Sequence, residues 1–194
     1  MKYSPGSAPA LDLRQTRRVD TPAYPAHLVH ERSLADGRKV VIRPIRAEDE
    51  PALQRFFEGL SGDALYLRFQ KWVHAVSDKL LQFFTRIDYD RHMAFICVAG
   101  EDIVGEARYV ANEDGASCEF AVAISDAWHK TGIAGLLMEA LIAAARQRGM
   151  KTMEGLVLRE NHDMLRFVKA LGFEAHHDPQ EPVMTRVVRR LDVT

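Results

Sequence analysis

The feature that most narrows the fold is a train of three short β-rich runs that ends on a small-residue turn and a long helix. The runs are MAFICVA at 93–99, DIVGEARYVA at 102–111 and SCEFAVAIS at 117–125, separated by Gly100 and by the NEDG cluster at 112–115. Connections this short, built from turn formers, predict an antiparallel meander. Beyond Gly132, the residues Ile133, Leu136, Leu137, Ala140, Leu141 and Ala144 repeat at helical spacing and lay one apolar stripe along an inner face. Arg146 and Arg148 stand where the helix dipole favours cations, and Gly149 supplies a C-terminal stop.

The flanking segments complete the pattern. HLVHERSLADGRKVVIRPIR is two β-rich runs about Asp36-Gly37, a dipeptide that supplies the positive φ angles of a hairpin turn. EDEPALQRFFEGL reads as an acidic-started helix with Leu53, Phe56, Phe57 and Leu60 on one face. SDKLLQFFTRI repeats that logic, with Ser77 as N-cap and Leu80, Leu81, Phe84 and Ile87 inside. TMEGLVL is another strand, and Asn161 can cap a helix whose Met164, Leu165, Val168 and Leu171 face inward before Gly172. VMTRVVRRL closes the chain as a last strand. The order predicts one mixed α/β domain over 26–194. Residues 1–25, with four prolines and Arg14, Arg17 and Arg18 close together, read as a loosely ordered arm.

Composition serves mainly to exclude. The chain has 194 residues with net charge −1 and a pI near 6.7, which gives no global basic field for nucleic acid or an anionic membrane. No apolar run approaches the roughly 20 residues that span a bilayer, and the N-terminus has no signal-like apolar stretch. Cys97 and Cys118 have no redox or metal-ligand spacing, so a reduced, cytoplasmic chain is expected. His176-His177 reads as a loop pair without a third ligand at zinc spacing, so no metal is expected. Asp88, Asp90 and Arg91 read either as an acidic rim selecting a cationic substrate or as a solvated turn.

The turn SDAWHKTGIAG, residues 125–135, is where the sequence becomes chemical. Its small residues Gly132, Ala134 and Gly135 serve either close packing or the approach of something to the backbone. A helix N-terminus after a strand offers unpaired N–H groups and the positive dipole end, which suits a pyrophosphate. GxxxxGK[ST] and GxGxxG are both absent, so a P-loop and a dinucleotide fold are set aside.

The strand EFAVAI, the Trp128 turn, xxxGxA and a leucine-rich helix together resemble the acetyl-CoA-binding core of GNAT acetyltransferases. NHDMLRFVKALGF resembles that family's next segment, in which an Asn opens a helix ending in Gly-Phe. YPAHLVHERSLADGRKVVIRPIRAEDE, LYLRF, IDYDRHMAF and EFAV resemble the GNAT domain of Pat-type bacterial protein lysine acetyltransferases. The resemblance covers roughly residues 40–175. It implies the GNAT fold, a central, mostly antiparallel mixed sheet with helices on both faces. Acetyl-CoA is the implied co-substrate, and the acceptor is an amine, with a protein lysine favoured. Backbone groups of Val122, Ala123 and Ile124 would pair with the pantetheine arm. His129, Lys130, Thr131, Gly132, Ile133, Ala134 and Gly135 would hold the pyrophosphate, and Asn161 would lie near the pantetheine or thiol end. Monomer and homodimer both stay open.

A protonated lysine must lose its proton before it attacks a thioester. Glu119 is the candidate base: it shares a strand face with Ala121 and Ala123, small neighbours that leave room around a partly desolvated carboxylate of raised pKa. The Pat resemblance implies the same role for the Glu of EFAV. The sequence departs from the family at His129, where Gln or Arg is usual, and at Thr131, where a basic residue is usual. It departs again at Leu156 and Val168, where many members carry a base and a Tyr acid; Tyr66 and Tyr89 are the candidate replacements for that acid. These departures keep two alternatives in view, a small-amine acetyltransferase and a non-catalytic acetyl-CoA sensor.

Overall fold

A computed structural model of the chain describes residues 22–69, 76–177 and 182–192. Eight strands form one sheet. The first two, β1 (His30–Ser33) and β2 (Lys39–Pro44), make the hairpin about Gly37, whose φ is 85°. Three helices follow: α1 (Glu50–Glu58), α2 (Gly62–Phe69) and α3 (Asp78–Thr85), the last capped by the Ser77 side chain accepting from the Leu80 N–H. The meander is β3 (His92–Ala99), β4 (Asp102–Ala111) and β5 (Ser117–Ile124), then α4 (Ile133–Gln147), β6 (Thr152–Leu158), α5 (His162–Ala170), β7 (Glu174–His177) and β8 (Met184–Arg190).

The sheet order is β1-β2-β3-β4-β5-β6-β8-β7, and among the described residues only β5 with β6 runs parallel. That pair is joined through α4, as a parallel connection requires. Alternation along the strands divides the core in two. Met93, Phe95, Cys97, Ala107, Tyr109, Cys118 and Phe120 pack under α4 and α5, whereas Ala94, Ile96, Ile103 and Ala123 pack under α1–α3. Helices therefore cover both faces, as the resemblance implied.

Three local readings change. Helix α2 was not foreseen: GDALYLRF has no strong apolar stripe, and none of its residues is fully buried. His176 and His177 lie on β7 rather than in a loop, with His177 Nδ1 3.3 Å from the Thr185 hydroxyl. Of the arm, residues 1–21 lie outside the described residues. Tyr24 is docked: its hydroxyl donates to the Pro44 carbonyl at 3.1 Å, and its ring meets Tyr89 edge-on. Among the described residues, no helix is long and apolar enough to cross a membrane, and no group of three His, Cys, Asp or Glu could hold a metal.

Candidate active site

Strands β5 and β6 pair only from Ser117–Glu119 to Thr152–Glu154. Beyond that point β5 stays with β4 and β6 stays with β8, so the sheet splits. Phe120 occupies the α4 side of the split. Its ring packs against Phe173 with centroids 5.0 Å apart, and a Cβ on Gly155 would come within 2.7 Å of it. Ring and glycine are matched: the bulk on one strand needs the bare backbone on the other.

The split leaves one edge of β5 open. The Ser125 N–H bonds to the Val104 carbonyl while Ile124 lies opposite Gly105. Antiparallel alternation therefore turns the polar backbone groups of Val122 and Ile124 toward the split and those of Ala123 toward β4. Ala123 is thus corrected from the expected backbone set: its N–H and C=O belong to the sheet and its methyl to the core under α1–α3.

The turn after β5 is held from several sides. Thr131 Oγ donates to the Trp128 carbonyl at 2.7 Å, the Arg38 guanidinium stacks 3.9 Å over the Trp128 ring, and the Ser61 N–H reaches Asp126 at 3.3 Å. Lys130 has φ 60°, a left-handed conformation that a lysine holds only when its surroundings impose it. Gly132, the N-cap of α4, has φ 89° and offers no side-chain cap, and the first helical bond runs from the Leu136 N–H to its carbonyl. The N–H groups of Ile133, Ala134 and Gly135 are thereby left without intrahelical partners.

The glycines differ in what surrounds them. A Cβ at Gly105 would meet the Ile124 side chain at 2.7 Å, so that glycine is required by packing. At Gly132 and Gly135 a Cβ would meet nothing within 4 Å. Packing does not demand them. Both stand beside the N–H groups of Ile133, Ala134 and Gly135, which lack intrahelical partners, and at Gly132 the left-handed φ itself calls for glycine.

His129 sits beside this space, but its Nε2 lies 3.1 Å from the Ile124 carbonyl and 3.7 Å from an Asp126 carboxylate oxygen. The ring holds the end of β5, so its Nε2 is already committed. Asn161 caps α5, its side-chain oxygen accepting from the Met164 N–H at 3.1 Å. That leaves its amide NH₂ as the group able to contact a ligand. With Glu160, His162, Asp163 and Leu67 of α2 it lines a pocket of about 350 Å³.

Glu119 stands at the last paired position before the split, on the α1–α3 side. A smaller pocket of about 160 Å³ is lined by Glu119, Glu154, Gly155, Leu156 and Arg186. The Glu119 carboxyl opens to solvent, yet protein packed about its inner side desolvates it. That burial, reinforced by the Glu154 charge and opposed by Arg68, raises its pKa. Among the described residues it accepts no hydrogen bond. A raised pKa and open lone pairs are what a general base needs.

Val168 is buried in the core. The Tyr89 hydroxyl donates to the Ile45 carbonyl at 2.8 Å, so it is structural, and Tyr66 lies half-buried on α2. Asp88 builds a turn by accepting the N–H groups of Asp90 and His92, and Asp90 pairs with Arg148 of the α4 C-terminus at 3.4 Å. These groups tie β3 to α4.

The sequence reading missed Glu154 and Arg186, which line the pocket with Glu119 only once β6 and β8 are placed, and Asn112, which the β4–β5 turn brings to Glu154. It also missed a buried ion cluster. Glu106 accepts from Arg68 of α2 at 2.9 Å and from Arg108, which also contacts His92 Nε2 at 3.0 Å. A signal existed: Glu106 and Arg108 alternate on one face of a strand otherwise built for burial.

A split sheet edge, a glycine-opened helix N-terminus and a carboxylate at the branch point together offer what an acyltransferase with an extended, anion-tailed donor requires. Residues 53–173 match the Acetyltransferase (GNAT) family model, and the chain belongs to that family as an acetyl-CoA-dependent acetyltransferase. It is 37% identical over 163 residues to an acetyltransferase of Pseudomonas aeruginosa, covering 82% of this chain and 87% of that one. The GNAT domain of Streptomyces lividans PAT is 27% identical with a TM-score of 0.81, covering 86% of this chain and 99% of that one. The yncA protein of Salmonella typhimurium, solved with its cofactor acetyl-CoA, shares the fold at 20% identity and TM-score 0.66, covering 80% and 95%.

Proposed function

We propose that the chain transfers an acetyl group from acetyl-CoA to a primary amine, with a protein lysine as the acceptor class. What supports this reading is the combination of three features on or next to β5: its open edge, the unobstructed glycine turn that follows it and Glu119 at the branch. Acetyl-CoA supplies the thioester. The Val122 N–H and C=O and the Ile124 N–H would align the pantetheine arm as an added strand, the Ile124 carbonyl staying with His129, and the N–H groups of Ile133, Ala134 and Gly135 would hold the pyrophosphate, with Lys130 adding charge. Glu119 takes the proton from the acceptor ammonium and frees the lone pair for attack on the carbonyl. Val168 provides no acid, but a thiol of pKa about 8.5 leaves as a thiolate without one.

The pocket of about 160 Å³ beside Glu119 has room for the end of an alkylamine, which a protein lysine supplies. The likeness to the S. lividans PAT domain points the same way. The test is acetyl-CoA with labelled acetyl in cell lysate plus the protein. Label on lysines of a few proteins supports the reading. Label only on small amines replaces the acceptor, and cofactor binding with no thiol release on any amine makes the protein a sensor.

A further inference from the structure

Glu154 is the residue opposite Glu119 across the last parallel pair before the split, so the two carboxylates share a sheet face about one strand spacing apart. Neither the sequence nor the base role of Glu119 accounts for a second acid there. Its surroundings fix it tightly. One oxygen accepts from Asn112 Nδ2 at 3.0 Å, and Asn112 is itself held by the Ser117 hydroxyl at 2.8 Å. The other oxygen accepts from Arg186 through Nε at 2.8 Å and through Nη2. These contacts fix the Glu154 carboxylate in place on the sheet face it shares with Glu119. Arg186 in turn spends its fork on Glu154, so it cannot also bind and quench Glu119.

From this geometry, and resting on Glu119 being the general base, we propose that Glu154 is a positioning residue: its fixed charge sets the proton affinity of Glu119, and Arg186 sets how much of that charge Glu119 feels. The other charged group acting on Glu119 among the described residues is Arg68 from α2, which is bound to Glu106, so its contribution is constant across the variants below. Two like charges at this spacing disfavour each other's ionised form, whereas a neutralised neighbour does so weakly. The arrangement is a tunable base: one strand carries the reacting carboxylate and the next carries a screened copy of the same charge.

The experiment is the pH profile of kcat/KM on an alkylamine or lysine-peptide acceptor. Glu154→Gln keeps an acceptor for Asn112 and removes the like charge, so the acid limb should move down by about half to one pH unit. Arg186→Met exposes the full Glu154 charge, so the limb should move up by a similar amount. The double variant should lose the upward shift, because Arg186 acts only through Glu154. A purely structural role lowers activity at every pH and leaves the limb in place; that outcome, with Glu119→Gln inactive, overturns this inference alone. Should Glu119→Gln keep activity while Glu154→Gln loses it at all pH values, Glu154 is the base and both readings fall. Melting temperatures within a few degrees of the parent certify that each variant is folded.

Discussion

At the residue scale, the contrast among glycines carries most of the argument. Gly105 and Gly155 are glycines because neighbours fill the space a Cβ would take. Gly155→Ala should therefore cost about 1–3 kcal/mol through the Phe120 ring, read by urea unfolding. Gly135 has open space, so Gly135→Ala should keep or raise stability, by about 0.5–1 kcal/mol. If the cofactor passes there, acetyl-CoA Kd should nonetheless rise several-fold in calorimetry; an unchanged Kd would remove Gly135 from the site. Gly132 combines open space with φ 89°. Gly132→Asp adds backbone strain, bulk and a like charge, and should abolish acetyl-CoA binding, whereas retained micromolar binding would mean that the phosphates sit elsewhere.

At the element scale, the meander, α4 and α5 were legible because their periodicities and caps are local properties. Ser77 and Asn161 cap where the sequence placed them, and the NEDG turn and Gly149 stop their elements as composition suggests. What was not legible depends on tertiary pairing. Helix α2 lacks a local signature because what holds it is tertiary: Arg68 reaches Glu106 of β4, and the Phe69 ring packs on Phe57 and Phe84. The environment of Glu119 needs β6 and β8 brought alongside, and nothing in EFAV names Glu154 or Arg186. Ala123 was misjudged because membership of a run does not tell which way each peptide faces until the partner strand is fixed. The ion cluster gives this scale its own test. Glu106 is fully buried and balances Arg68 and Arg108, so Glu106→Gln strands two buried guanidinium groups. Loss of about 3–5 kcal/mol of unfolding free energy is expected. A loss under about 1 kcal/mol would show that the cluster is hydrated and carries little.

At the scale of the whole molecule, one sheet serves two purposes: its sealed half centres on β3 and β4, between helices on both faces, and its split half is open. The sealed half contains an acid sensitivity. Burial first, and then the Arg108 charge, push the pKa of His92 well below its ordinary 6.5. In the unfolded chain that imidazole takes a proton near pH 6.5, while in the fold it stays neutral. Below pH 6.5 the unfolded state therefore binds more protons, and stability falls as pH falls toward the folded pKa, by up to about 1.4 kcal/mol per pH unit. Denaturant unfolding at pH 7.5 and 5.5 should show this loss, and His92→Gln should reduce it; equal losses in both proteins would assign the sensitivity elsewhere. The open half carries the central claim, that a donor lying along the β5 edge presents its thioester to an amine deprotonated by Glu119. The most direct measurement is kcat and acetyl-CoA Kd for Glu119→Gln from pH 6 to 9. The expected result is a fall in kcat of about 10²–10⁴-fold with loss of the acid limb and Kd within about twofold of the parent. An unchanged kcat and pH profile would contradict the account.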